Sequence, residues 1–263
     1  MDRTEFNPLI PGNAVEDCKV SDNPLIPESM ATSGQKRLAS AVSSKSKGVP
    51  STGARRLLSS PTSVQLATIN QFANRVHVAD ELLVGQMRLA NNCIDRDRER
   101  FSEEILQNFA DTVVRKTLLL DHDCNVNRSA IGKFFAVEVE RMPLQQAIAE
   151  TGEALQLAPG MSDVLFLSPW FYIPKKGVSE QDLARLESGI YDFVSIGFSA
   201  ERLVPITDGQ GTTLFHEYQG RGYCREGSIV YLGAQPGATI KAATTSISGH
   251  SSAGESYNPL IPH

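Results

Sequence analysis

Long apolar runs are missing from this chain of 263 residues. None approaches the roughly 20 residues that a membrane-crossing helix needs. The N-terminus also lacks the charged-then-apolar pattern of a secretory signal, so a soluble protein made inside a cell is expected. Cysteine is scarce. Cys18, Cys93, Cys124 and Cys224 form no Cys-X-X-Cys pair and no disulfide framework, which fits a reducing compartment. An excess of positive charge is absent too. Twenty-five Lys and Arg against 30 Asp and Glu leave a net charge of −5, which argues against a dedicated nucleic-acid binder. What is present, 41% hydrophobic and 21% charged residues, suffices for one folded domain with tails.

The charges are unevenly spread. Residues 1–30 hold six acids against Arg3 and Lys19, whereas residues 31–60 hold Lys36, Arg37, Lys45, Lys47, Arg55 and Arg56 and no acid. With so much Ser, Pro, Gly and Ala, residues 1–62 read as a disordered arm, residues 63–242 as the folded domain and residues 243–263 as a disordered tail. The basic block reads as a solvated linker, or as an arm that touches an acidic surface or nucleic acid. The pentapeptide Asn-Pro-Leu-Ile-Pro occurs three times, at Asn7–Pro11, Asn23–Pro27 and Asn258–Pro262. Two prolines in five residues forbid a helix or a central strand, so each copy is expected to be an extended, exposed peptide. Three roles fit it: a tether to a partner, a mark for self-cleavage, or solvated tail.

Inside the domain, Leu82–Leu89 alternates as a strand. Ser102 caps a helix whose apolar stripe is Ile105, Leu106, Phe109 and Val113. Thr117–Leu120 is a short strand leading to Asp121-His122-Asp123. Ile131–Glu140 is a strand expected to set Phe135, Val137 and Val139 on one side and Glu138 and Glu140 on the other. Pro143–Gly160 reads as part helix, part loop. Val164–Ile173 is a strand stopped by Pro174, and Ser179 with Asp182 opens a helix carrying Leu183, Leu186 and Ile190. A strand around Ser195 follows. Asp208-Gly209-Gln210-Gly211 then joins Leu203–Ile206 to Thr213–Tyr218 in a hairpin. Gly227–Leu232 is the last strand, and Gln235-Pro236-Gly237-Ala238 closes the domain.

Chemistry centres on three stretches. Gly189–Ala200, rich in β-branched and aromatic residues, reads as a largely buried strand carrying Ser195, with Gly197 allowing close approach of another backbone or a substrate. A buried hydroxyl needs a partner or a task; Ser195 is either a structural serine or a nucleophile. Ser199, four residues on, is its rival. A nucleophile needs a base. Of the five histidines, His122 and His216 fall within the folded segments away from the edges, and His122 sits where a strand delivers it into a loop. Its plainer reading is a surface histidine among acids. Glu226, at the mouth of the Gly227–Leu232 strand, suits the acid that orients an imidazole, or else simply pairs with Arg225. A metal site built from Asp121, His122, Asp123, Cys124 and His216 is disfavoured. Neighbours on a strand point to opposite faces, and no metal-ligand spacing is present.

Taken in order, Leu-Leu-Leu-Asp-His-Asp at 118–123, Phe-Val-Ser-Ile-Gly-Phe-Ser at 193–199 and Glu-Gly-Ser-Ile-Val-Tyr-Leu-Gly-Ala-Gln-Pro-Gly-Ala at 226–238 resemble the prohead (capsid maturation) proteases of tailed bacteriophages. These are serine peptidases related in fold to herpesvirus assemblin. The resemblance spans about Leu83 to Ile240. It implies an α/β (α+β) domain with a mostly antiparallel, barrel-like sheet and flanking helices. It also implies His122 as base, Ser195 as nucleophile and Glu226 as third member, with no cofactor. The sequence departs from the pattern at Gln235-Pro236, where Asn-Pro is expected, and at Gly227, where a branched residue is expected. The implied substrates are scaffold, the scaffolding segment of the major capsid protein and the protease's own tails. The implied setting is the host cytoplasm, inside an assembling procapsid. A catalytically idle assembly module on the same fold is the alternative.

Overall fold

In the computed structural model the described residues are 10–11 (main chain only), 58–123 and 129–241. In chain order the elements are β1 (Ile10–Pro11), α1 (Ser63–Asn70), β2 (Leu82–Arg88), β3 (Ala90–Asn91), β4 (Glu99–Phe101), α2 (Glu103–Val113) and β5 (Thr117–Leu120). Then come β6 (Ala130–Pro143), α3 (Leu144–Thr151), β7 (Asp163–Pro174), α4 (Glu180–Glu187), β8 (Phe193–Thr207), β9 (Thr213–Val230) and β10 (Thr239–Ile240). No helix among the described residues is long and apolar enough to cross a membrane.

Seven strands close on themselves in the order β8-β10-β2-β7-β6-β5-β9 and back to β8. Most pairs are antiparallel; β5 and β4 run parallel to β9, which makes the barrel mixed. The closure is uneven. β8 and β9 pair along most of their length, while β8 meets β10 at the single pair Phe193–Thr239.

α2 fills one side of the barrel. Ser102 Oγ accepts the Ile105 N–H at its start, and Ile105, Leu106, Phe109, Ala110 and Val113 are buried, as the 3.6-residue stripe requires. Phe109 joins Phe101, Phe198 and Tyr218 in an aromatic cluster of edge-to-face and tilted pairs with centroids 4.9–5.5 Å apart. The same helix satisfies the part of β9 that lies between its two parallel neighbours, β4 and β5. Asn108 Oδ1 accepts the Gly222 N–H and Thr112 Oγ1 accepts the Cys224 N–H.

The hairpin turn at Asp208–Gly211 forms as expected, with Asp208 Oδ1 accepting the N–H groups of Gln210 and Thr212. Four expectations are corrected. Leu58 is buried in the core and Ser59 bridges Val84, so packed residues lie ahead of residue 63. The strands read as separate around Ser195 and Leu203–Ile206 are one, β8, and those at Thr213–Tyr218 and Gly227–Leu232 are one, β9, which ends at Val230. A register shift between Ala200 and Arg202 bends the pair without ending it.

In β6 a bulge between Phe134 and Ala136 overturns the two-sided pattern. Phe134 and Phe135 are both buried, in different clusters, while Val139 is exposed. Glu138 turns to accept hydrogen bonds from Trp170 Nε1 and Gln86 Nε2. α4 stops at Glu187, which leaves Ile190 exposed rather than on a buried stripe. Most of the arm and all of the tail after Lys241 lie outside the described residues, as do Cys18, Cys124, the pentapeptides at 23–27 and 258–262, and His250 and His263.

Candidate active site

β5 and β9 run in parallel register with Leu119 beside Ser228 and Leu120 beside Ile229, and the Asp121 N–H extends the ladder by bonding the Ile229 carbonyl. The chain then turns sharply. The Asp123 N–H returns to the Leu120 carbonyl, and the two residues between, Asp121 and His122, have φ of 57° and 53°. Two successive positive φ values mark a turn of the I′ kind, which favours Asn and Gly. Non-glycine residues there cost about 1 kcal/mol each. The turn brings the His122 ring to Glu226 of β9.

There His122 Nδ1 lies 2.7 Å from Glu226 Oε1, and Ser228 Oγ donates to Glu226 Oε2 at 2.6 Å. Both carboxylate oxygens are thus engaged in a nearly buried setting, as a buried charge requires. With Nδ1 held by the carboxylate, the neutral ring carries its proton there and keeps Nε2 as an acceptor. Across the β8–β9 ladder Ser195 faces Ser228 and Gly197 faces Glu226. Directly opposed residues of an antiparallel pair share a face, and so do residues two apart. Ser195, Gly197, Glu226 and Ser228 therefore stand on one face.

Ser195 is half-buried and lines, with His122, a cavity of about 200 Å³. Phe101, Phe198 and Tyr218 line it, and Asp95, Asp97, Ala234 and Gln235 line it as well. The turn at 233–238 is held by Gln235, whose side chain accepts the Asn91 N–H and donates to the Asn91 carbonyl. That is what the glutamine does where asparagine was expected. Gly227 likewise has a reason: a Cβ there would meet the Phe134 ring at 2.6 Å.

Of the predicted residues, the structure brings His122 and Glu226 into hydrogen-bond contact and sets Ser195 on the same cavity. No hydrogen bond joins Ser195 to the His122 ring among the described residues. Ser199 is buried and does not line the cavity. The alternative Arg225–Glu226 pair does not form. Arg225 is the extra residue of a bulge, between the pairs Gly197–Glu226 and Phe198–Cys224, and it is exposed. His216 lies ten residues along β9, about 30 Å at strand spacing, and pairs across to Pro205. Among the described residues no three His, Cys, Asp or Glu side chains gather as a metal site; Cys124 lies outside them.

Two site residues escaped the sequence reading. Ser228 has a signal, its place two residues after Glu226 on a strand. Asp95 has none. It accepts N–H bonds from Asp97 and Glu99, and burial pushes its carboxyl up to about 7 against those bonds. Burial raises the Cys93 thiol to about 12 and the Cys224 thiol further, so neither is a poised thiolate.

Compared with protein-family models, with curated proteins and with solved structures, the chain matches none.

Proposed function

We propose that the chain is a serine endopeptidase with His122, Ser195 and Glu226 as its catalytic group. The observation that carries this reading is the His122–Glu226 contact of 2.7 Å beside a cavity that Ser195 also lines. Ser195 Oγ attacks the scissile carbonyl carbon as its proton passes to His122 Nε2. Glu226 holds the ring and stabilises the imidazolium. The tetrahedral intermediate collapses, His122 returns the proton to the leaving amine, and water then hydrolyses the acyl ester by the same route. Ser228 and Gly197 act as positioning residues for the carboxylate.

The substrates proposed are those of the capsid-maturation proteases that the three motifs resemble: scaffold, the scaffolding segment of the capsid protein, and this chain's own arm and tail. The closed barrel with α2 beside it supports a herpesvirus-protease-like architecture. The second reading, an idle assembly module, draws on the missing Ser195–His122 hydrogen bond; catalytic contacts of this kind often tighten only on substrate binding.

The test is incubation of the purified full chain with intact-mass analysis over time. The endopeptidase reading expects trimming of arm and tail that stops in Ser195→Ala and persists in Ser199→Ala. A chain of constant mass that still captures capsid or scaffold protein supports the idle module.

A further inference from the structure

β1 is two residues long and belongs to the first Asn-Pro-Leu-Ile-Pro copy. Its Ile10 stands opposite Ala200 and its Pro11 opposite Ser199, antiparallel, on the edge of β8 that β9 does not use. That edge can be traced. The Val194 N–H points outward to the Ala238 carbonyl. The N–H and C=O groups of alternate residues point to the same side of a strand, so those of Ile196, Phe198 and Ala200 share this edge. β10 reaches it only at Phe193 and β1 only at Ser199 and Ala200. Among the described residues no strand pairs with it at Ile196 or Phe198. Residues along the gap, Val194, Ser195, Ile196 and Phe198, also line the cavity.

Proline suits the place where it is found. Ala200 bonds outward, so Ile10 opposite it is the residue whose N–H and C=O face β8, and Pro11 comes next, where its N faces away. A missing N–H at that position costs no ladder bond, and it leaves β1 unable to template a further strand. Proline-braced peptides also lose little entropy on docking.

We infer that the outer edge of β8 from Phe198 to Ala200 is a docking site for Asn-Pro-Leu-Ile-Pro peptides, which bind by strand addition, and that the three copies in this chain compete for it. The pairing fixes direction. A peptide running from Ile10 to Pro11 moves from Ala200 toward Ser195, so residues that follow the motif are carried to the cavity. Resting on the endopeptidase reading, this makes the motif an upstream recognition element, with cleavage a few residues beyond its last proline. The docking itself needs no catalysis.

The experiment therefore reads binding in the full chain with Ser195→Ala. A fluorescent synthetic peptide containing Asn-Pro-Leu-Ile-Pro is titrated against that chain and against the same chain with Leu9, Ile10, Leu25, Ile26, Leu260 and Ile261 changed to Ser. Removing the tethered competitors is expected to tighten peptide binding about tenfold or more, and bound peptide is expected to slow amide exchange at Phe198 and Ala200. A peptide N-methylated at the isoleucine nitrogen, which keeps every side chain but loses the ladder donor, is expected not to bind. Absence of binding, equal affinity for both chains, protection mapped elsewhere, or undiminished binding of the N-methyl peptide overturns the proposal. None of these outcomes bears on whether Ser195 is a nucleophile.

Discussion

Gly197 faces Glu226 across the β8–β9 ladder, and a Cβ on Gly197 would stand 2.1 Å from Glu226 Oε1, the oxygen that holds His122. No carboxylate can stay where it is against a methyl group at that distance. Gly197→Ala is therefore expected to push Glu226 off the imidazole. A displacement of about 1 Å in such a constellation costs on the order of 100-fold in rate, so kcat falls by about that factor with KM little changed. Wild-type turnover in Gly197→Ala would separate the glycine from the site.

Glu226 and Ser228 differ in how they act, and their variants should differ too. Glu226→Gln keeps the shape but loses the charge that stabilises the imidazolium. A loss of kcat on the order of 10²–10⁴ is expected. Ser228→Ala leaves Glu226 Oε2 without its donor in a buried site, which costs about 1–3 kcal/mol of stability and a smaller, roughly tenfold, fall in kcat. Because it acts through the carboxylate, Ser228→Ala should also shift the pH–rate profile, and Ser228→Thr should restore it. An unshifted profile would reduce Ser228 to a structural hydroxyl.

Asp95 predicts a pH dependence of stability. Burial raises its carboxyl from the ordinary range to about 7 in the folded chain, whereas the unfolded chain keeps a value near about 4. Between those values the folded state binds the extra proton, so stability falls as pH rises. Its contribution is complete below about pH 4 and lost once the pH has passed about 7. Asp95→Asn keeps the oxygen that accepts the Asp97 and Glu99 N–H groups but does not titrate. Thermal melts from pH 4 to 8 should show a shallower decline for the variant and a higher Tm than wild type at pH 8. Parallel curves would contradict the assignment.

Local chemistry was legible where it is decided locally. The Ser102 cap and the Ile105-Leu106-Phe109-Val113 stripe describe α2, and Asp208-Gly209-Gln210-Gly211 describes the hairpin turn. Barrel closure was legible only as a class, because it depends on long-range pairings such as Thr117–Glu226 that no window of sequence contains. The bulge in β6 was invisible for a related reason. Phe134 and Phe135 are both buried because separate clusters claim them, and a two-residue alternation has no room for that. At the site, His122, Ser195 and Glu226 were nameable by residue type and strand position. The positive-φ turn at Asp121-His122 is tied to Ile229, far away in sequence, whereas the donor role of Ser228 rests on its place two residues after Glu226. The pentapeptides read as extended peptides, and the β8 edge adds a place where Ile10 and Pro11 of one copy pair.

The central claim is that Ser195 is a nucleophile activated by His122. A fluorophosphonate probe reports this directly, since it forms a phosphonyl ester only with an activated hydroxyl. The full chain is treated with the probe at pH 7 to 8, digested and mapped by mass spectrometry, alongside His122→Ala and Ser195→Ala. The account predicts one adduct, on Ser195, absent from Ser195→Ala and at least about 100-fold slower to form in His122→Ala. An adduct on Ser199 or Ser228, or Ser195 labelling at the same rate without His122, would contradict it.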